Sequence, residues 1–228
     1  MTGANAIPWP RETPRTAAPQ HATLAATSVT SQHAQMPRKD QSPQRRAELI
    51  GKVAAAFAEL GYRRTTTAEL ARRCEVQEPI LYRLWPDKRA MFLAALQFVA
   101  SNSRAIWEGV LQQRRRRETS AEKLLAYEAE HLGEFGLYRI LFAGWSETDD
   151  PDIREALRAV YRTFVEFVAE RVREHRAERP GRDLPGVDLT AWALLGLGTA
   201  VNLGRELELL SDDLRKKLMG TVGRHLLG

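Results

Sequence analysis

Ile50, Val53, Ala54, Phe57 and Leu60 recur at steps of three and four residues, the period of one apolar helix face. Gly61 and Tyr62 stop that helix. Thr66, Thr67, Ala68 and Glu69 then read as a capping box, the Thr66 hydroxyl and the Glu69 carboxylate each satisfying an amide the new helix leaves unpaired. A second helix is therefore predicted over residues 67–74. The break Glu75, Val76, Gln77 leads into a third, with Pro79 in its first turn, where a missing N–H costs little. Ile80, Leu81 and Leu84 face inward and Pro86 ends it, before Asp87 caps a fourth helix. Two short helices joined by such a turn form the motif that lays its second helix in the major groove of DNA.

Farther along, Ile153, Leu157, Val160, Tyr161, Phe164, Val168 and Val172 trace one face of a long helix that begins after Asp152 and frays near Pro180 and Gly181. Two more helices are predicted over 120–134 and 136–145, another over 189–210, and a last one capped by Asp212 or Asp213 and ending at Leu227. Strand signals are nearly absent. The fold class is all-α with about nine helices, arranged as a disordered tail (1–40), a three-helix helix-turn-helix domain (41–92) and a helical domain for ligand binding and dimerisation (93–228). The tail is rich in Ala, Thr, Pro, Ser and Gln and carries no period. Trp9, Arg11, Arg15, Arg38 and Lys39 permit a DNA-reaching arm there, or a passive tail. Arg114 to Arg117 mark a solvated loop.

The stretch I-x-x-V-A-A-A-F-A-E-L-G-Y-x-x-T-T-T-A-E-L-A-R-R-C-E-V-Q-E-P-I-L-Y-R-L-W-P-D-K-R-A-M-F resembles the N-terminal domain of the TetR family of bacterial one-component regulators. The resemblance implies a homodimer on double-stranded DNA, an inverted-repeat operator, repression, and a small-molecule effector sensed among the later helices.

Charge agrees with the placement of the reader. Residues 41–104 carry eleven Lys and Arg against six Asp and Glu, net +5, whereas residues 105–228 carry nineteen against twenty-one, net −2. Basic, Arg-rich surfaces also occur without a nucleic-acid partner. No phosphate-cradling glycine loop, nucleophile elbow, Cys-x-x-Cys or His-Glu-x-x-His is present, so enzyme classes that depend on them are not indicated, and neither a cofactor nor a metal is expected. The longest apolar run, residues 191–201, is short of the roughly 20 residues a span requires. A cytoplasmic protein with no membrane partner is expected. The single cysteine, Cys74, reads as a core thiol or a redox switch.

Bases are expected to meet Gln77, Glu78, Pro79 and Ile80, with Tyr82 and Arg83 one turn on; the resemblance places base and backbone contacts at these same positions. Gln77 suits adenine and Ile80 a thymine methyl. Glu78 would accept from a cytosine amine, hold a neighbouring Arg, or favour the helix dipole. Thr65, Thr66 and Thr67 line the entrance of the second helix, where hydroxyls and free amides suit an anion. Lys88 and Arg89 fall in the first turn of the fourth helix, where cations are unfavourable unless a phosphate is held there. The resemblance assigns a backbone grip to Lys88 and Tyr82. Arg45 and Arg46 add to that grip or form a solvated pair.

The resemblance also supplies the ligand pocket, for which Trp107, Tyr127, Phe135, Tyr138, Phe142, Trp145, Phe164, Phe167 and Trp192 are the candidate aromatic lining, or simply core. His131, Arg139, Glu128 and Asn202 are the polar groups that would orient a ligand, and Glu128, His131 and Glu134 a weak candidate for a metal. In the helix over 189–210, small residues interleave with Trp192, Leu194, Leu195, Leu197 and Val201. Each internal glycine costs up to about 1 kcal/mol relative to alanine, so something must compensate. Packing against a second chain through Trp192, Leu195, Gly198, Val201 and Leu218 is expected, as the resemblance also implies. The alternative function is a ligand-independent architectural DNA-binding protein.

Overall fold

A computed structural model describes residues 42–113, 117–134, 136–181 and 184–228. The expectations for residues 1–40, Arg114 to Arg116 and Phe135 lie outside the described residues. Nine helices run in order among those described: α1 (Ser42–Arg64), α2 (Thr67–Cys74), α3 (Glu78–Leu84), α4 (Lys88–Gln112), α5 (Ser120–His131), α6 (Arg139–Trp145), α7 (Pro151–Glu178), α8 (Val187–Glu206) and α9 (Asp212–Leu227).

The helix boundaries follow local chemistry. Gly61 interrupts α1 with φ of 77°, a backbone state that a residue without Cβ adopts without strain. Only half of the expected capping box forms at α2. Thr66 Oγ1 accepts from the Glu69 amide at 3.2 Å, but the Glu69 carboxylate turns to the Arg72 and Arg73 guanidiniums, which hold its pKa down to about 2. A complete box stands instead at Thr119 and Glu122, before α5. Asp87 caps α4 through the Ala90 amide at 2.7 Å, Asp150 caps α7, and Ser211 rather than either aspartate caps α9. The stop of α5 at His131 shortens the expected helix, because Gly133 adopts φ of 73°.

Helix α4 is the spine. At its start Phe92 packs edge-on against Phe57 at 5.0 Å between ring centroids, with Tyr62 beside both, so α1 and α4 clamp the reader. Leu70, Leu81 and Leu84 fix α2 and α3 to the same core. At its other end Trp107 meets Phe164 and Phe167 of α7. The expected domain boundary at residue 92 thus falls inside one helix, and a single apolar core runs through both parts. A smaller cluster, Ala121, Leu125, Val172, Met219 and Leu227, joins α5, α7 and α9. Cys74 is buried there in the reader core, where burial pushes its thiol pKa up.

Helix α8 is 20 residues long with a mean hydropathy of 1.2, which by length and composition is enough to cross a membrane, more than its uninterrupted apolar run suggested. One of its faces, with Thr190, Ala191, Val201, Asn202 and Gly204, is buried in the bundle. Phe57 has no solvent exposure, so Phe57→Ala should cost about 3–5 kcal/mol, read as a lowered midpoint in urea unfolding.

Candidate nucleic-acid interface and ligand cavity

The outer face of α3 presents Gln77, Pro79, Tyr82 and Arg83 to solvent, while Leu81 and Leu84 anchor the helix beneath. Ile80 is half-buried against the reader core, and Glu78 forms no ion pair among the described residues. The Tyr82 hydroxyl donates to Thr67 Oγ1 at 3.2 Å, which brings the tyrosine to the amide-rich start of α2. Thr66 lies exposed at the same end.

Several expected contacts are answered inside the chain. Thr65 is fully buried and donates its hydroxyl to the Gly61 carbonyl at 2.6 Å, so it does not face DNA. Lys88 Nζ donates to the Tyr62 carbonyl at 3.1 Å and lies 4.4 Å from the centre of the Tyr62 ring. Arg89 pairs with Asp152 at 3.0 Å and Asp150 at 3.5 Å, at the start of α7. The dipole penalty on these two cations is therefore offset without a phosphate. Arg45 pairs with Glu48 at 2.8 Å, and Arg46 Nε donates to the Leu84 carbonyl at 2.7 Å, bracing the end of α3. Arg63 crosses from α1 to Glu147, beyond α6.

Behind the reader, an apolar cavity of about 130 Å³ opens between α4, α5, α7, α8 and α9. Of the expected lining, Trp107, Glu128, Tyr138, Phe142, Phe164, Phe167 and Asn202 face it; Tyr161 and Arg171 join them without having been anticipated. Tyr127 and His131 lie elsewhere, stacked on each other at 4.4 Å beside a smaller cleft. Trp145 is 59% exposed and is not lining. Arg139 instead pairs with Glu206. Among the described residues no three His, Cys, Asp or Glu side chains gather as a metal site requires.

Two polar groups in this cavity are held by apolar surroundings. Trp107 Nε1 donates to Glu128 Oε1 at 2.6 Å, and burial pushes the Glu128 pKa above its usual 4.5 despite that bond. The Tyr138 hydroxyl donates to Ser103 at 3.1 Å, and burial raises its pKa as well. Asn202 is buried, its Oδ1 without a hydrogen-bond partner among the described residues, and is seated against Gly133, where any Cβ would collide with it.

The interface set divides. Trp192 is 54% exposed, but Leu195 and Gly198 line the cavity, Val201 is buried within the chain and Leu218 is half-buried. The outward stripe on α8 is instead Leu189, Trp192, Ala193, Gly196, Ala200 and Leu203, continued by Leu207 and Leu209 and flanked by Leu214 and Val222 of α9. Its period was legible in the sequence, but which of two apolar faces looked outward was not.

Because Glu128 has a raised pKa, the folded protein holds a proton that the unfolded chain releases above about pH 4.5, and stability falls as pH rises through that window. Glu128→Gln should remove this loss, seen as unfolding midpoints that decline less between pH 4.5 and neutrality than those of the wild type.

Residues 52–95 match the model of the family described as bacterial regulatory proteins, tetR family. No curated protein matches the chain. Among solved structures, the transcriptional regulator, TetR family, from Cytophaga hutchinsonii superposes with a TM-score of 0.69 at 17% identity, over 83% of this chain and 96% of that one. A Saccharomonospora viridis chain in complex with choline superposes with a TM-score of 0.68 at 18% identity, over 81% and 97%. The transcriptional regulator FadR from Bacillus subtilis, in complex with stearoyl-CoA, gives 0.63 at 14% identity, over 80% and 97%. The family matched is one of regulators, not of enzymes. Residues 52–95 are thus similar to the N-terminal domain of the tetR family of bacterial regulatory proteins, and the chain shares the fold of the TetR-family regulators on which it superposes.

Proposed function

We propose that this protein is a dimeric, sequence-specific transcriptional repressor, released from an inverted-repeat operator when a small molecule enters the cavity between α4 and α8. The observation that carries this reading is the unbroken α4, whose Phe92 belongs to the reader core and whose Trp107 lines the cavity. At 1.5 Å per residue those positions stand roughly 22 Å apart on one rod. A ligand that repacks Trp107 therefore acts on the lever that carries the reader. It shifts DNA binding only by its difference in affinity for the two states.

Gln77, Glu78, Pro79 and Ile80 would read bases; Thr66, Thr67, Tyr82 and Arg83 would meet the backbone, with Lys88 available once it leaves Tyr62. The stripe on α8, with Ala193, Gly196 and Ala200 between larger apolar side chains, fits the same stripe of a second copy. Two readers so joined would enter major grooves about 34–36 Å apart. The neighbours solved with choline and with stearoyl-CoA show how differently such ligands are sized, and a cavity of about 130 Å³ favours the smaller kind.

Selection of random duplexes by the purified protein at physiological salt tests the reading, and one inverted repeat is expected. Recovery of no sequence would shift it to an architectural binder. On the selected operator, Arg83→Ala should lower the slope of log affinity against log salt by about 1. Trp192→Glu should sediment as a monomer at micromolar concentration if the α8 stripe is the interface.

A further inference from the structure

Among the described residues, Glu128 is the charged side chain lining the cavity that has no ion-pair partner. Arg171, the other, is paired with Glu174 at 2.7 Å and stacked over the Phe167 ring at 5.0 Å. Glu128 uses Oε1 to accept from Trp107, and Oε2 makes no hydrogen bond among the described residues. His131 lies one turn away, but it is exposed, with Nδ1 directed to the Tyr127 carbonyl.

From this arrangement we propose that the effector is a small aromatic or alkyl ammonium ion, its cation received by Glu128 Oε2 and by the ring faces of Trp107 and Phe164. The inference rests on the reading of the cavity as an effector site. Three features converge on it. A half-buried carboxylate among apolar side chains has lost part of the hydration its charge demands, and a ligand cation supplies a partner in its place. Trp107 and Phe164 both line the cavity and pack at 61° with 5.3 Å between centroids, so aromatic rings stand on its wall near Glu128; the faces of such rings attract a cation that has lost its water. The volume sets the size: an apolar cavity of about 150 Å³ accepts benzene, so about 130 Å³ suits a single ring or a short branched chain, and not a long acyl chain. The Asn202 side chain, buried on the α8 wall with its Oδ1 free of hydrogen bonds among the described residues, is placed to meet a second polar atom of the ligand. Burial pushes the Glu128 carboxyl pKa up, and a neighbouring ammonium ion pushes it back down.

The test is calorimetric titration of the full chain with three probes of one ring size: benzylammonium, benzyl alcohol and benzoate. Benzylammonium is expected to bind about tenfold or more tightly than either of the others, as a charge-assisted hydrogen bond provides, and the preference is expected to collapse towards unity in Glu128→Gln, whose side chain still accepts from Trp107. Benzyl alcohol or benzoate binding as well as benzylammonium, or a preference that survives in Glu128→Gln, overturns the ammonium assignment and leaves the effector cavity standing. Binding of none of the three overturns the effector cavity as well. The wild-type ratio decides the assignment alone if Glu128→Gln does not fold.

Discussion

Helix α4 has to satisfy two cores at once. Met91, Phe92, Ala95 and Leu96 bury one end among α1 and the reader helices, and Trp107 buries the other between Phe164 and Phe167. A helix supported along its whole length in this way resists bending, since each apolar position would have to leave a close-packed site. The rest of the arrangement follows from that rod. The reader hangs on its N-terminal end, the cavity opens along its C-terminal end, and α1 reaches across to α6 to close the gap between them.

The cavity is where sequence patterns agree least with one another. A bundle built only for stability would fill such a space with aliphatic side chains, and a glutamate there is a liability by itself. Tyr138 and Asn202 add two more polar groups to a surface that is otherwise hydrocarbon and aromatic ring. Where local rules are broken without a compensating gain in the empty protein, a function is the usual reason.

The reader was legible because its signals are local. The turn after Cys74, the proline in α3 and the Asp87 cap each depend on a few adjacent residues, and all of them appear where the sequence puts them. The all-helical class and most helix positions were legible for the same reason. What escaped was decided by which of several available partners a side chain takes, and by packing between helices. Glu69 has two guanidiniums in reach, so it leaves the Thr66 amide. Thr65 looked outward as one of three threonines and is turned in by the Gly61 carbonyl. Trp145 and Tyr161 share a region, but only the tyrosine reaches the cavity. On α8, both faces are apolar, and no period distinguishes the one that meets α7 from the one that meets solvent.

The two bridges between the reader and the later helices, Arg63 to Glu147 and Arg89 to Asp150 and Asp152, lie at the surface and keep their guanidiniums largely in water. Each such exposed pair contributes little and is weakened by salt. They act as guy-lines and not as bolts: they set the resting tilt of the reader, yet thermal energy suffices to slacken them. A rigid spar steadied by compliant stays leaves the hold of the later helices on the helix-turn-helix softer in concentrated salt than in dilute.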